Sequence, residues 1–307
     1  MPEPVPSRVV VIGDALIDEI RDAGGVRELV GGAALNVAVG LTRLGIPATL
    51  IAMVGADAAG DHIRTYLHDH GVQLLASEAP LGSSRAIVTR GADGEPSYRF
   101  NEAAQGRSIR YSDAEKEALA QADAVVVSCF PFDNGAEVDA LLDAVGDRPL
   151  IVDPNPRTGM MRDRADLAEG FLRVAAGARA IKIGSDDAEI LADGDLPALG
   201  ERLRDNGAEI ILMTAGAAGA ALRAPGWEVS RPIATLPGAI VDTVGAGDAT
   251  LAALVAGLVG GVPETEGAAG SLLERIMEVA AATCRGEGGL LRTPESLLAS
   301  PMDRIAT

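Results

Sequence analysis

Ala124-Val-Val-Val-Ser128, Leu150-Ile-Val-Asp153, Ala180-Ile-Lys-Ile183 and Glu209-Ile-Ile-Leu-Met213 are short β-branched runs, with helix-like segments in the intervals. Continuous apolar runs suit strands covered on both faces, and such strands separated by helices predict a mostly parallel sheet. Val9-Val-Val-Ile12 and Ala48-Thr-Leu-Ile-Ala52 extend the rhythm upstream. The expected helices span residues 33–44, 60–69, 113–120, 137–144, 188–191, 197–206 and 247–259. Gly45 and Gly71 supply C-terminal stops for the first two. The fold class is therefore α/β, a doubly wound sheet with flanking helices.

Two segments break that rhythm. Residues 17–30 read as strand, a turn at Gly24-Gly25, and strand. Residues 85–100 read as strand, a turn at Asp93-Gly94, then Ser97-Tyr-Arg-Phe100. Two rather polar hairpins inserted in an α/β chain predict a small sheet projecting from the main body, as a lid or as a dimer contact. No internal repeat or low-complexity tract interrupts the 307 residues.

Composition narrows the function. A formal charge of −18 leaves no basic stripe, which excludes nucleic acid and anionic membranes as expected partners. The apolar stretch 249–262 is too short to span a bilayer and reads as a buried helix. Cys129 and Cys284 lie far apart without a Cys-x-x-Cys spacing, so free thiols in a reducing compartment, the cytoplasm, are expected. His62, His68 and His70 cannot share one helix face, which argues against a histidine metal site.

The chemistry is concentrated in Asp242-Thr-Val-Gly245-Ala246-Gly247-Asp248, which runs directly into the apolar helix. Three small residues at a helix start let a phosphate approach unpaired backbone N–H groups, and the helix dipole favours its charge. Asp248 is costly beside an anion unless it takes a proton from an attacking hydroxyl. Taken alone, Gly-x-Gly-Asp is more often a tight turn with a first-turn cap. No Gly-x-x-x-x-Gly-Lys-Ser/Thr or Gly-x-Gly-x-x-Gly run offers another phosphate cradle.

The segment resembles the C-terminal signature of the ribokinase-like (PfkB) carbohydrate kinases. Gly31-Gly-Ala-Ala-Leu-Asn36-Val-Ala-Val-Gly40-Leu-Thr-Arg-Leu-Gly45, continued by Val54-Gly55-Ala-Asp57-Ala-Ala-Gly60, is similar to the N-terminal one. The resemblance implies one kinase domain over 1–307, with its lid formed by insertions at about 16–31 and 84–103. It also implies ATP as co-substrate, Mg²⁺ as cofactor and a monosaccharide as acceptor. Asp248 would be the base, and the backbone of Gly245, Ala246 and Gly247 the anion hole. Asp14, Asp18, Gly32 and Asn36 would hold the sugar hydroxyls, joined by Arg157 of Asp153-Pro-Asn-Pro-Arg157, which is similar to an element of the fructokinase and ketodeoxygluconate-kinase branches. Lys182, Thr214, Gly216 and Gly219, with Gly247, would bind nucleotide. Glu189 and Asp186 would hold Mg²⁺ through water, with Asp186 standing where the family has asparagine. Asp242 and the Val244 carbonyl would hold K⁺.

Fructose is the first acceptor expected, ahead of ribose, ketodeoxygluconate, a nucleoside or a sugar phosphate. The contrasting class is a sugar-binding regulator without catalysis. The exposed edges of the two hairpins make a homodimer through the lid a further expectation.

Overall fold

The computed structural model describes residues 8–22, 25–90 and 96–298. In chain order it forms β1 (Val9–Gly13), β2 (Leu16–Asp22), β3 (Gly25–Gly31), α1 (Ala33–Arg43), β4 (Ala48–Met53), α2 (Ala58–Asp69) and β5 (Gln73–Ser77). There follow β6 (Ser84–Arg90), β7 (Pro96–Phe100), α3 (Glu102–Gln105), α4 (Asp113–Ala120), β8 (Ala124–Ser128), α5 (Gly135–Val145), β9 (Leu150–Asp153) and α6 (Arg164–Ala175). The last part comprises β10 (Ala180–Gly184), α7 (Ser185–Leu191), α8 (Leu196–Asp205), β11 (Ile210–Thr214), β12 (Ala220–Ala224), β13 (Trp227–Arg231), α9 (Ala246–Gly260), α10 (Glu266–Thr283) and α11 (Pro294–Leu298).

A nine-stranded sheet runs in the order β13-β12-β11-β10-β9-β8-β1-β4-β5. Its strands pair in parallel except at β11–β12 and β12–β13. Strand alternation feeds two cores: Val9 and Val11 of β1 join residues of α1, α2, α9 and α10 on one face, whereas Val10 and Ile12 join α5, α6 and α8 on the other. The doubly wound architecture read from the sequence is thus the one observed. The chain builds outward from β1 through β4 and β5, then returns to the opposite side of β1 with β8. That reversal is a topological switch point, and the crevice beyond the carboxyl ends of such strands is where α/β sheets bind ligands.

The two inserted segments join into a four-stranded sheet, order β3-β2-β6-β7, in which β2 and β6 pair in parallel. The Gly24-Gly25 and Asp93-Gly94 turns involve residues outside the described ones. Asp57 ties this sheet to the body: it caps α2 at Gly60 N, and its carboxylate also accepts from the Ser83 N–H and Oγ–H, just before β6. Helices α3, α6, α10 and α11 and strands β5, β12 and β13 are absent from the sequence expectation. No described helix is long and apolar enough to cross a membrane, and the two cysteines are free thiols.

Candidate active site

Helix α9 is apolar on nearly every side, so it is buried, packed on α1 and α10. Its start fixes the site. Gly245 is the N-cap at φ 76, a conformation that L side chains rarely adopt, and a Cβ there would lie 2.5 Å from Gly289 Cα. The turn thus rests on the segment after α10. Asp242 fastens the two together, its Oδ1 accepting the Val244 N–H and its Oδ2 the Gly288 N–H, each at 3.0 Å.

Asp248, in the first turn of α9, is 6% exposed. Its Oδ2 accepts from Asn36 Nδ2 at 2.8 Å, and its Oδ1 from Asn155 Nδ2 at 3.3 Å. Burial pushes the carboxyl up to about 6, against the Asn36 hydrogen bond and the positive charges of Arg157 and Lys182. A base near neutrality suits proton abstraction.

Asp14 follows β1 and is also buried; its Oδ1 accepts the Ala34 N–H at the start of α1, 3.0 Å away. Burial raises its pKa. Gly32, the α1 N-cap at φ 113, passes so close to Asp14 that a Cβ would sit 2.8 Å from the Asp14 carbonyl oxygen. Asp18 lies on β2, against Gly31, and burial with the nearby Asp14 charge raises it to about 6. Arg157, exposed on the loop after β9, acts against all three rises. The structure therefore gathers Asp14, Gly32, Asn36, Arg157 and Gly245–Asp248 at the switch-point crevice, with Asp18 reaching in from the small sheet.

Lys182, in the middle of β10, is buried beneath this turn. Its Nζ lies 3.0 Å from Asp153 Oδ2 and 3.8 Å from Asp187 Oδ2, and 3.3 Å from where a Gly247 Cβ would stand. Thr214 ends β11 beside it, with its Oγ donating to the Ile183 carbonyl. Gly216 and Gly219 frame the following 3₁₀ turn, closed by the Ala215 N–H on the Gly219 carbonyl. Asp186 and Glu189 stand apart from this group, one turn from each other on the exposed side of α7, with no carboxylate hydrogen bond or ion pair among the described residues. Nor do the described residues hold a cluster of three or more metal-ligating side chains.

Asn155, Asp153, Asp187 and Gly289 are site residues that sequence reading left out. Asn155 carried a signal: it stands between Pro154 and Pro156, and its φ of 36 is one that asparagine tolerates better than most residues. Asp187, not its neighbour Asp186, turns inward, capping α7 through the Gly184 N–H.

The model of the pfkB family carbohydrate kinases matches residues 6–284. The chain is a member of that family. A fructokinase of Rhizobium leguminosarum bv. trifolii is 30% identical over 266 residues, covering 81% of this kinase and 79% of the relative. An aminoimidazole riboside kinase of Salmonella typhimurium is 28% identical over 258 residues, covering 81% and 80%. A fructokinase of Xylella fastidiosa, solved with bound ATP, shares the fold with a TM-score of 0.80 at 18% identity, over 98% of this kinase and 100% of that chain. The chain is accordingly a sugar kinase, a phosphotransferase with an alcohol acceptor.

Proposed function

We propose that this kinase transfers the γ-phosphoryl group of ATP to a primary hydroxyl of a neutral monosaccharide, fructose first, with Asp248 as the base. The observation that carries the reading is Asp248 itself: a buried carboxyl near neutrality, aimed by two amides, one residue from a glycine turn at a helix N-terminus. Asp248 takes the hydroxyl proton as the oxygen attacks in line. The Gly245, Ala246 and Gly247 backbone stabilises the charge on the transferring group.

Asp14 and Asp18 accept from sugar hydroxyls, Asn36 orients the base, Gly32 lets the sugar approach, and Arg157 donates to sugar and phosphate oxygens. Asp14, Asp18 and Asp248 outnumber the guanidinium groups of Arg157 and Arg107, which favours a neutral polyol over a sugar phosphate. Arg85 does not alter that balance: it pairs with Glu19 and Glu28, and the strand register puts this pair on the face opposite Asp18. Thr214, Gly216, Gly219, Gly247 and Lys182 line the nucleotide side. Exposed Ile233, Ile240, Val241 and Val244 supply apolar contact for a base ring. Mg²⁺, held through water by Glu189 and Asp186, would neutralise phosphate charge. Asp242 and the Val244 carbonyl are the candidate holders of K⁺.

The small sheet acts as a lid that excludes water during transfer, in one domain over 1–307, with insertions 16–31 and 84–103. Val26 and Leu29 lie exposed on its edge strand β3, a surface for a homodimer. The test is ADP release from Mg·ATP across fructose, ribose, glucose, ketodeoxygluconate, adenosine and fructose 6-phosphate. Strong turnover with one neutral acceptor supports the reading, whereas turnover with fructose 6-phosphate alone overturns the neutral-sugar assignment.

A further inference from the structure

Among the described residues, a buried ion cluster lies behind the glycine turn. Lys182 comes from the middle of β10, Asp153 from the carboxyl end of the adjacent β9, and Asp187 from the first turn of α7. Asp153 is fully buried; among the described residues its carboxylate has no directed hydrogen bond, and the 3.0 Å ion pair with Lys182 is its polar contact. Asp187 is anchored by the Gly184 N–H at 2.6 Å and stands 3.8 Å from the same ammonium. Burial works against the charge on Lys182, but Asp153 and Asp187 outweigh it and keep the group protonated.

A buried ion cluster is a poor way to stabilise a fold, because the desolvation of its members offsets their attraction. A lysine under a helix N-terminus is worse still, since its charge opposes the helix dipole. Its position accounts for both costs. The ammonium rests against Gly247, 3.3 Å from the place a Cβ would take, directly under the backbone that faces the crevice and one residue from Asp248.

We propose that Asp153, Lys182 and Asp187 form a buried positioning cluster beneath the Gly245–Asp248 turn, which sets the charges that Asp248 faces from below and so holds it ready as a base. This deepens the reading of Asp248 as base and rests on it. Asp153 and Asp187 keep the ammonium from leaving with the phosphate, so Lys182 acts through Gly247 and Asp248. The groups facing Asp248 are Asp14 after β1, Asn36 on α1, Asp153 at the end of β9, Asn155 and Arg157 on the following loop, and Lys182 on β10. Lys182 and Asp153, paired across β10 and β9, supply a cation and an anion that can be removed separately.

Removing them should move Asp248 in opposite directions. K182M takes away a positive charge and raises the pKa of Asp248; D153N takes away a negative one and lowers it, each by roughly half a pH unit or more. The direct readout is a ¹³C titration of the aspartate carboxyls in the whole protein, with the Asp248 signal assigned by its loss in D248N. The acid limb of kcat/KM for the best acceptor should follow the same order, D153N below wild type below K182M, with sugar KM little changed. Opposite shifts establish the cluster. An Asp248 titration that stays at its wild-type position in both variants, or moves the same way in both, overturns it. If K182M does not fold, D153N alone decides, because a nearly isosteric change that lowers the Asp248 titration is the required sign. The titration needs no turnover, so absence of kinase activity in the wild type would defeat the functional reading while leaving the cluster decided.

Discussion

At the scale of single residues, the site is a set of carboxylates held uphill of their ordinary ionisation by burial, and Asp248 is the one proposed to act as base. With its pKa near 6, kcat/KM should fall about tenfold per pH unit below that point and level off above it; an acid limb centred near 4 would remove Asp248 from the role of base. Asp248→Asn should cut kcat by 10³-fold or more while sugar binding, read by calorimetry, stays within a few fold. The same substitution should stabilise the free enzyme. A carboxyl raised from 3.8 to about 6 on folding binds its proton more tightly in the native state, so its penalty is absent below the unfolded value and grows as pH climbs through that window. At pH 7 the penalty is on the order of 2–3 kcal/mol, and D248N should melt several degrees higher than wild type there but not at pH 4. Asn36, Arg157 and Asp248 stand in motifs quoted from the sequence, and Asp14 and Asp18 were assigned with them by resemblance; the structure brings all five to one crevice. Asp187 and Gly289 were not legible, since a capping aspartate and a loop glycine look ordinary until the fold brings them under the anion hole.

At the scale of elements, the strands of the main sheet were readable because burial on both faces makes them continuous β-branched runs, as in Val125–Val127 and Ile210–Leu212. Strands β12 and β13 escaped notice: Ala220-Ala-Leu-Arg-Ala and Trp227-Glu-Val-Ser-Arg are short antiparallel strands at the β13 edge of the sheet, half solvated, with little apolar continuity. Helix α10 was hidden by Gly267, Gly270 and Ser271 in its first turns, which weaken local propensity; packing on α9 and β13 overrides that loss. The segment after α10 then does the work of a backstop. Gly289 presses on Gly245 and on Asn36, where an added Cβ would come within 2.5 Å of Asn36 Nδ2. Gly289→Ala should therefore turn Asn36 away from Asp248 and lower kcat at least tenfold, with a change in melting temperature of only a few degrees. Unchanged kcat would mean that the segment yields and that Asn36 does not depend on it.

At the scale of the whole molecule, the carboxylates assigned to the acceptor come from two sheets. Asp14 stands just after β1 in the main sheet, whereas Asp18 rides on β2 of the small sheet, and on the proposed reading a hydroxylated ring that donates to both draws the two together. Asp57 ties the small sheet to the body through Gly60 and Ser83, and Arg27 of β3 reaches Glu287, beside the backstop, at 3.2 Å; both of the latter side chains are more than half exposed, and such a pair contributes about 0–1 kcal/mol. On the proposed reading the small sheet closes over the crevice as a water-excluding cover. Amide exchange measured by mass spectrometry should slow across β2 and β6 when acceptor and Mg·ATP are added together, and less with nucleotide alone. Asp18→Ala should abolish most of that protection yet keep the nucleotide-dependent protection of residues 243–248. The same variant should waste more ATP per sugar phosphorylated, because a cover that no longer senses the acceptor no longer keeps water out. Equal protection of β2 and β6 in wild type and Asp18→Ala would mean that the small sheet closes on the nucleotide, with the acceptor carboxylates playing no part in it.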